Sequence, residues 1–300
     1  MVYRKSLLLP LCGMLLAACS TVSMTGRKQL NLVSESEILS ASLSEYQTYM
    51  QSAKVSTDAN ATAVVRNVAQ RIASAAESYL RASGQEADLQ NYAWEFNLVQ
   101  SDELNAFCMP GGKIVVYTGM LSLAGTGADR DDELAAVIGH EVGHAIAKHG
   151  QERASQQLLT QLGGQLIGVA VANKAAETQQ AVALAYGMGA QYGALLPFSR
   201  KHELEADYIG IVLATLAGYD ADAAITLWQK MEAASGGSGS SEFMSTHPSS
   251  STRIKQLQKD IPTVKATYGT ATTTTKAAAT TKKAAKSTTT KKTGTGFKIG

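Results

Sequence analysis

The chain has 300 residues, a formal net charge of +2 and 45% hydrophobic residues. The charge is unevenly distributed: residues 263–300 contain eight lysines and no acidic residue, which leaves residues 1–262 at −6 (+2 − 8). That main part has no basic patch and no interleaving of aromatic and basic residues, which excludes nucleic-acid binding. Without an 18-residue leader and the 38-residue tail, 244 residues remain (300 − 18 − 38), enough for one large single-core domain.

Residues 1–18 are typical of a bacterial secretion signal. A basic start precedes an apolar stretch from Ser6 to Ala18 that is too short to span a bilayer as a helix. The sequence LAAC at 16–19 resembles the bacterial lipobox, which implies that Cys19 becomes the acylated first residue of the mature protein. A plain signal peptide is the alternative. Ser20 is not an aspartate, and by resemblance to the lipoprotein sorting rule this favours an outer-membrane lipoprotein facing the periplasm.

Local signals predict helices around a pair of strands, after a linker at 19–35. The helices are expected at 36–52, 58–83 and 220–234, and the strands at 93–100 and 112–119. Ser34 and Glu37 form a capping-box pattern before the first helix. Both strand segments are rich in aromatic and β-branched residues, and Pro110-Gly111-Gly112 is the turn signal between them.

The segment VIGHEVGHAIAKHG at 137–150 contains two histidines, His140 and His144, four residues apart around Glu141. On a helix these histidines share one face, so their imidazoles can bind one metal ion. The acidic residues at 129–133 suit the start of such a helix. An ordinary helix with two surface histidines is the alternative, because the pentapeptide HExxH also occurs by chance.

A catalytic zinc site usually takes three protein ligands and a water molecule, so a third ligand is needed. The pattern with a third histidine six residues later fails, because position 150 is Gly150. The acidic segment FSRKHELEAD at 198–207 offers Glu203 and Asp207 on one helix face, with Glu205 turned away. One of the two can bind the metal, and the other can accept a hydrogen bond from the free N–H of a ligand histidine.

HExxH followed by SRxxExxxAD resembles the membrane-associated zinc metallopeptidases that include HtpX and the CAAX prenyl endopeptidases. More closely, the chain resembles their bacterial lipoprotein members, which also resemble the mitochondrial Oma-type protease. Besides those two motifs, the resemblance is carried by TGRKQLNLVSESE near the start, LNAFCMPGGKIVVYTGML at 104–121 and STHPSSSTRIKQL at 245–257. It covers roughly residues 25–262.

The resemblance implies an α+β fold, a mostly helical gluzincin metallopeptidase domain at 36–262 with a small sheet beside the HExxH helix. It implies one Zn²⁺ ion per chain, with His140, His144 and Glu203 as ligands. Glu141 would be the general base, and Asp207 would orient a ligand histidine. Asn105 matches a position near the cleft.

His247, in the segment STHPSS, also matches a family motif and is a further candidate catalytic residue. It could stabilise the oxyanion, or it could occupy the open zinc position and hold the enzyme latent. As a purely structural residue it would cap the following helix. We interpret His149 and His202 as structural or exposed residues, and Arg253 as a structural anchor.

The strand around Ile114, Val115 and Val116 is expected to pair with an extended substrate, because added edge strands bind peptides through backbone hydrogen bonds. The Ala- and Gly-rich stretch 157–196 is broken by polar residues into apolar runs that are too short to span a bilayer. We interpret it as a helical pair that packs over the active site as a lid. The Thr/Ala/Lys-rich tail at 263–300 is predicted to be disordered.

Together these observations predict a zinc metalloendopeptidase that is anchored to the membrane by lipid at Cys19. The family resemblance implies that it cleaves misfolded or stalled envelope proteins. The alternative is a chaperone-like factor for assembly of outer-membrane proteins, in which the zinc is mainly structural. Neither the oligomeric state nor the cleavage preference follows from the sequence.

Overall fold

The computed structural model describes residues 19–127, 129–190, 196–234, 247 and 251–288. The strands are β1 Cys19–Thr21, β2 Lys28–Leu30, β3 Glu95–Val99, β4 Ala106–Met109 and β5 Lys113–Tyr117. The helices are α1 Glu35–Ser52, α2 Ala59–Ala82, α3 Thr118–Ala124, α4 Arg130–Ile146, α5 His149–Val171, α6 Ala176–Ala190, α7 Leu196–Leu216, α8 Ala223–Ala234 and α9 Ser251–Thr288. The predicted secretion signal at 1–18 lies outside the described residues, as do residues 289–300 of the tail.

The fold is α+β and mostly helical, as predicted. The HExxH helix α4 lies at its centre, and its most extensive contact is with α7. Helices α2 and α8 also pack against α4, and α9 packs against α7 and α8. Side chains such as Ile72, Ile138, Ile209 and Leu227 are completely buried between these helices. The sequence places α1 correctly, since Ser34 and Glu37 form both hydrogen bonds of the capping box.

The sheet beside α4 has three strands in the order β3-β5-β4. Strand β5 pairs in parallel with β3 and antiparallel with β4, with Phe107 opposite Val115. The sequence predicted β3 and β5 but missed β4, and the turn at 110–112 joins β4 to β5 rather than the two predicted strands. Strand β4 faces α4, which places the sheet beside the HExxH helix.

The predicted linker at 19–35 is a folded part of the domain. Its strands β1 and β2 form an antiparallel hairpin in which Cys19 is opposite Leu30. Val22, between the strands, is 3% exposed and belongs to the main hydrophobic core. The linker interpretation was therefore wrong: the apolar side chain of Val22 and the ion pairs of Arg27 fix this segment on the helices.

Helices α5 and α6 form the predicted helical pair and pack against each other. Large apolar side chains on both helices are exposed, among them Leu166, Val169 and Leu184. Within the described ranges, no helix combines the length and the apolar character needed to cross a membrane.

The predicted disordered tail at 263–300 begins too early in the chain, because α9 continues from Ser251 to Thr288. Leu257, Ile261 and Val264 are buried, and Tyr268 packs against the same core. These four residues are spaced as one stripe of a helix, which explains why the helix extends past the predicted domain boundary at 262.

Candidate metal centre

Helix α4 presents both motif histidines towards α7. Acidic side chains fill its first turn, where they complement the positive end of the helix dipole, as the sequence predicted. His140 is 1% exposed, and the rings of His140 and His144 lie 4.7 Å apart. This is the arrangement that the spacing of the HExxH motif predicts.

Helices α4 and α7 cross in backbone contact because glycines lie at the crossing. A methyl group added at Gly139 would lie 2.9 Å from the carbonyl oxygen of Gly210, so larger side chains here would hold the helices apart. The close approach brings Glu203 and Asp207, one turn apart on α7, against the histidines of α4.

Four side chains, which we call the donor cluster, place potential metal-binding atoms within 4.8 Å of one another: His140, His144, Glu203 and His247. His140 Nε2 lies 3.1 Å from His144 Nε2. Each of these nitrogens lies 3.4 Å from an oxygen of the Glu203 carboxylate. Donors at about 2.0–2.1 Å from one tetrahedral zinc ion are about 3.3 Å apart, so these residues fit zinc.

The side chains around His140 fix which of its nitrogens can bind a metal. Its Nδ1 lies 3.0 Å from Asp207 Oδ1, which accepts a hydrogen bond from Nδ1–H and leaves the Nε2 lone pair facing the donor cluster. Arg253 donates to both Asp207 oxygens at 2.7 Å. Burial alone would raise the pKa of Asp207, but the charge of Arg253 outweighs it and holds this pKa below its usual value. Arg253 is thus the anchor that the sequence suggested.

Glu141 has the surroundings of a general base. It is buried at the wall of a cavity of about 250 Å³ that His144 and His247 also line. Burial raises the pKa of its carboxyl group, while the backbone N–H of Cys108 in β4 donates a hydrogen bond to it. Its Oε1 has no hydrogen-bond partner among the described residues, so this oxygen is available to a water molecule or substrate in the cavity.

His247 lies at the fourth corner of the donor cluster. Its Nδ1 is 3.0 Å from Glu203 Oε2 and 3.3 Å from His140 Nε2, and its Nε2 is 3.8 Å from Glu141 Oε1. This position is compatible with both roles considered for it, the fourth metal ligand and the group that stabilises an oxyanion. Both roles stay predictions.

The predicted substrate strand needs a correction. Ile114, Val115 and Val116 lie in β5, the central strand, whose two edges are already hydrogen-bonded to β3 and β4. Pairing of β5 with a substrate was therefore a wrong prediction. Strand β4 is at the edge of the sheet beside α4, and its Phe107 and Cys108 line the cavity.

Asn105 lies directly before β4 and is 8% exposed. Its carbonyl oxygen accepts a hydrogen bond from the backbone N–H of Tyr117. It is not among the described residues that line the cavity, and its proposed role near the cleft stays a prediction.

The predicted lid does not cover the cavity in the described part of the chain. Helix α5 contributes only its first turns to the cavity wall, up to Arg153, and α6 contributes no described residue. The exposed apolar side chains of the pair instead face away from the core. Residues 191–195 of the predicted stretch lie outside the described residues.

The sequence did not predict that His149 contacts the motif histidine His144. His149, interpreted as structural or exposed, is buried, and its Nδ1 lies 2.8 Å from Nδ1 of His144. Glu205 is turned away from the donor cluster, as predicted, and its carboxylate contacts His149 instead. The spacing of His149 from His144 by five residues carries no helical signal, because α4 ends between them.

Comparison with known proteins agrees with this geometry. Residues 62–261 match the profile of peptidase family M48. The chain belongs to peptidase family M48. The matched residues contain His140, Glu141, His144 and Glu203 together, which confirms the resemblance seen in the sequence.

Among its relatives are mitochondrial metalloendopeptidases. The chain is 38% identical to OMA1 of Schizosaccharomyces pombe over 175 residues, which cover 58% of this chain and 48% of the relative. It is 39% identical to OMA1 of Arabidopsis thaliana over 177 residues, 59% of this chain and 33% of the relative. It is also 29% identical to the β-barrel assembly-enhancing protease of Escherichia coli over 168 residues, 54% of this chain and 33% of the relative. The matched part spans a third to about half of each of these relatives.

Proposed function

We propose that this protein is a zinc-dependent endopeptidase that cleaves misfolded or stalled proteins of the bacterial envelope. The observation that carries the proposal is the convergence of His140, His144 and Glu203 around one point, with Glu141 beside them at the wall of a cavity. Two nitrogens and one carboxylate are a common donor set of catalytic zinc sites, in which a fourth position remains for water or substrate.

The roles of the side chains follow from their surroundings. Zinc, when bound, would polarise the scissile carbonyl group and activate a water molecule. Glu141 would take a proton from the attacking water on Oε1, which has no hydrogen-bond partner among the described residues, and would pass it to the leaving amine. The raised pKa of Glu141 suits this double task, because a base that must also act as an acid works best with a pKa near the working pH.

An extended segment of substrate fits the cavity best. Ile38, Leu39, Tyr92 and Phe107 give the cavity an apolar wall. Strand β4 is the outer strand on this side, and in the described part of the chain it pairs with β5 alone. A peptide laid along β4 would therefore pass Cys108, whose backbone N–H already points at Glu141. A compact folded protein cannot present such a segment, whereas an unfolded or misassembled one can.

The location in the envelope is supported by the sequence signal before Cys19 and by the β-barrel assembly-enhancing protease among the relatives. In this proposal Cys19 carries the lipid, and the protein faces the periplasm from the outer membrane. The competing function is that of a chaperone-like assembly factor, which would bind the same chains with little cleavage and use zinc mainly for structure.

The variant Glu141→Gln tests the proposal, because it removes the general base and leaves the three metal ligands in place. We expect it to bind one zinc ion per chain and to lose cleavage of an unfolded polypeptide. Glu133→Gln is a matched control, since Glu133 is a buried glutamate of the same helix that pairs with Lys230 away from the cavity. If Glu141→Gln retained both cleavage and the cellular role, the endopeptidase mechanism would be wrong. Proteomics of envelope proteins trapped by this variant would identify substrates.

A further inference from the structure

The two metal-binding histidines of α4 are supported in different ways. His140 donates from Nδ1 directly to the Asp207 carboxylate, at 3.0 Å. His144 instead meets a second imidazole, with its Nδ1 2.8 Å from Nδ1 of His149. The other nitrogen of His149, Nε2, lies 3.0 Å from Glu205 Oε2.

Only one arrangement of protons satisfies these contacts when His144 Nε2 binds a metal. The Nε2 of His144 must then be a lone pair, so its proton is on Nδ1 and is donated to His149 Nδ1. His149 accepts at Nδ1 and carries its own proton on Nε2, which it donates to Glu205. The result is a directed chain of hydrogen bonds, His144 to His149 to Glu205, that fixes the ring of His144.

The backbone between α4 and α5 is shaped to place His149 in this chain. Lys148 adopts a left-handed conformation with φ of 55°, which is unfavourable for a residue with a side chain. Its ammonium group is held by Glu35 at 2.9 Å and by Asp88 at 3.3 Å. The turn at Lys148 ends α4 and points His149 back towards His144, where it stacks on His202 with a centroid distance of 4.2 Å.

The N-terminal hairpin, residues 19–30, holds Glu205, the last residue of this chain of hydrogen bonds. Arg27 Nε donates to Glu205 Oε2 at 2.6 Å, and the Thr25 hydroxyl donates to Glu205 Oε1. The other arm of the same guanidinium lies 2.7 Å from Glu152, which in turn accepts from His202. One side chain of the hairpin therefore holds both carboxylates that fix the stacked histidines.

We propose that His149 is a positioning residue for the metal ligand His144, and that the N-terminal hairpin sets its position through Arg27 and Glu205. The proposal rests on the proposed zinc site. It gives the hairpin a function: the segment that begins at Cys19 becomes part of the outer support of the metal centre. Displacement of the hairpin from Glu205 should loosen His144 and weaken metal binding from a distance.

The test is the zinc affinity of the full chain in detergent, measured by competition with a chelator, with the absorption spectrum of the Co²⁺-substituted protein as a second readout. We expect His149→Ala to bind zinc 10–100-fold more weakly and to show an altered Co²⁺ spectrum, as is usual for loss of such a support. His149→Asn should restore most of the affinity, because the Asn side-chain oxygen can accept from His144 near the original Nδ1. If His149 were purely structural, His149→Asn would not restore the zinc affinity.

Arg27→Gln should also weaken zinc binding, by less than His149→Ala. Its matched control is Arg81→Gln, since Arg81 pairs with Glu77 on the exposed face of α2 and should not matter. Wild-type affinity in His149→Ala and Arg27→Gln, or equal losses in His149→Ala and His149→Asn with both folded, would overturn the inference. If His149→Ala does not fold, the other two variants test the inference. His149→Asn must then keep most of the zinc affinity, and Arg27→Gln must bind zinc more weakly than the wild type. A wild-type protein that binds no zinc would refute the proposed function instead, so the two failures are distinguishable.

Discussion

The crossing of α4 and α7 can be tested with a single methyl group. Gly210→Ala would place a methyl group 2.8 Å from the backbone nitrogen of His140. This is roughly 0.7 Å shorter than the ~3.5 Å of an ordinary carbon contact, and backbone atoms of two packed helices cannot turn away as a side chain can. The helices must therefore separate at the point where they hold the proposed metal ligands.

The cost of this separation can be compared with the gain that alanine normally gives in a helix. Overpacking of this kind costs about 1–3 kcal/mol, whereas Gly to Ala in an open helix stabilises by about 1 kcal/mol. Gly168 on α5 is the control, because a methyl group there meets no atom within 4 Å. The gain from alanine is common to both variants and cancels, so the free energies of unfolding of Gly210→Ala and Gly168→Ala should differ by the overpacking cost alone, about 1–3 kcal/mol.

The assay is urea denaturation of both variants, combined with cleavage of an unfolded substrate. A shift of Glu203 away from His140 of this size should lower activity by about 10–100-fold, since a displacement near 1 Å can cost that much. If Gly210→Ala were as stable as Gly168→Ala and fully active, the backbone contact between α4 and α7 would not exist as described.

Four further variants test the choice of the third metal ligand, the role of His247 and the lipid anchor. Glu203→Ala should lose zinc. Glu205 lies outside the donor cluster, so Glu205→Ala should still bind one ion at saturating zinc. If metal analysis showed the reverse, the choice of Glu203 as the third ligand would be wrong. His247→Ala should raise cleavage of a generic unfolded substrate, because His247 occupies the fourth corner of the cluster; lower activity at unchanged zinc content would make it a transition-state group instead of a latch. Cys19→Ser should convert the protein from a membrane-bound to a soluble periplasmic form, and an unchanged amount in the membrane fraction after cell fractionation would contradict lipid attachment.

The parts of the molecule that sequence predicted are those set by local spacing. The HExxH helix follows from two histidines one turn apart. The spacing of Glu203 and Asp207 places both on one face of α7, and the family resemblance then assigns Glu203 as the ligand. The start of α1 follows from the capping box of Ser34. Each of these signals lies within a few neighbouring residues, where helix geometry alone decides which side chains share a face.

The parts that sequence missed depend on contacts between distant segments. Strand β4 has only four residues, and its place between β5 and α4 is visible only in the folded chain. The role of Arg27 depends on carboxylates that lie more than a hundred residues away. The continuation of α9 was hidden because the Thr/Ala/Lys composition after 263 obscured the apolar stripe that includes Val264 and Tyr268.

The central claim is that one zinc ion lies between α4 and α7, and anomalous X-ray scattering at the zinc edge from crystals of the zinc-loaded protein tests it most directly. We predict a single strong peak about 2.0–2.2 Å from Nε2 of His140, Nε2 of His144 and a carboxylate oxygen of Glu203. A peak at the buried cluster of His149 and Glu205 instead, or no peak in protein that still cleaves its substrate, would contradict the account.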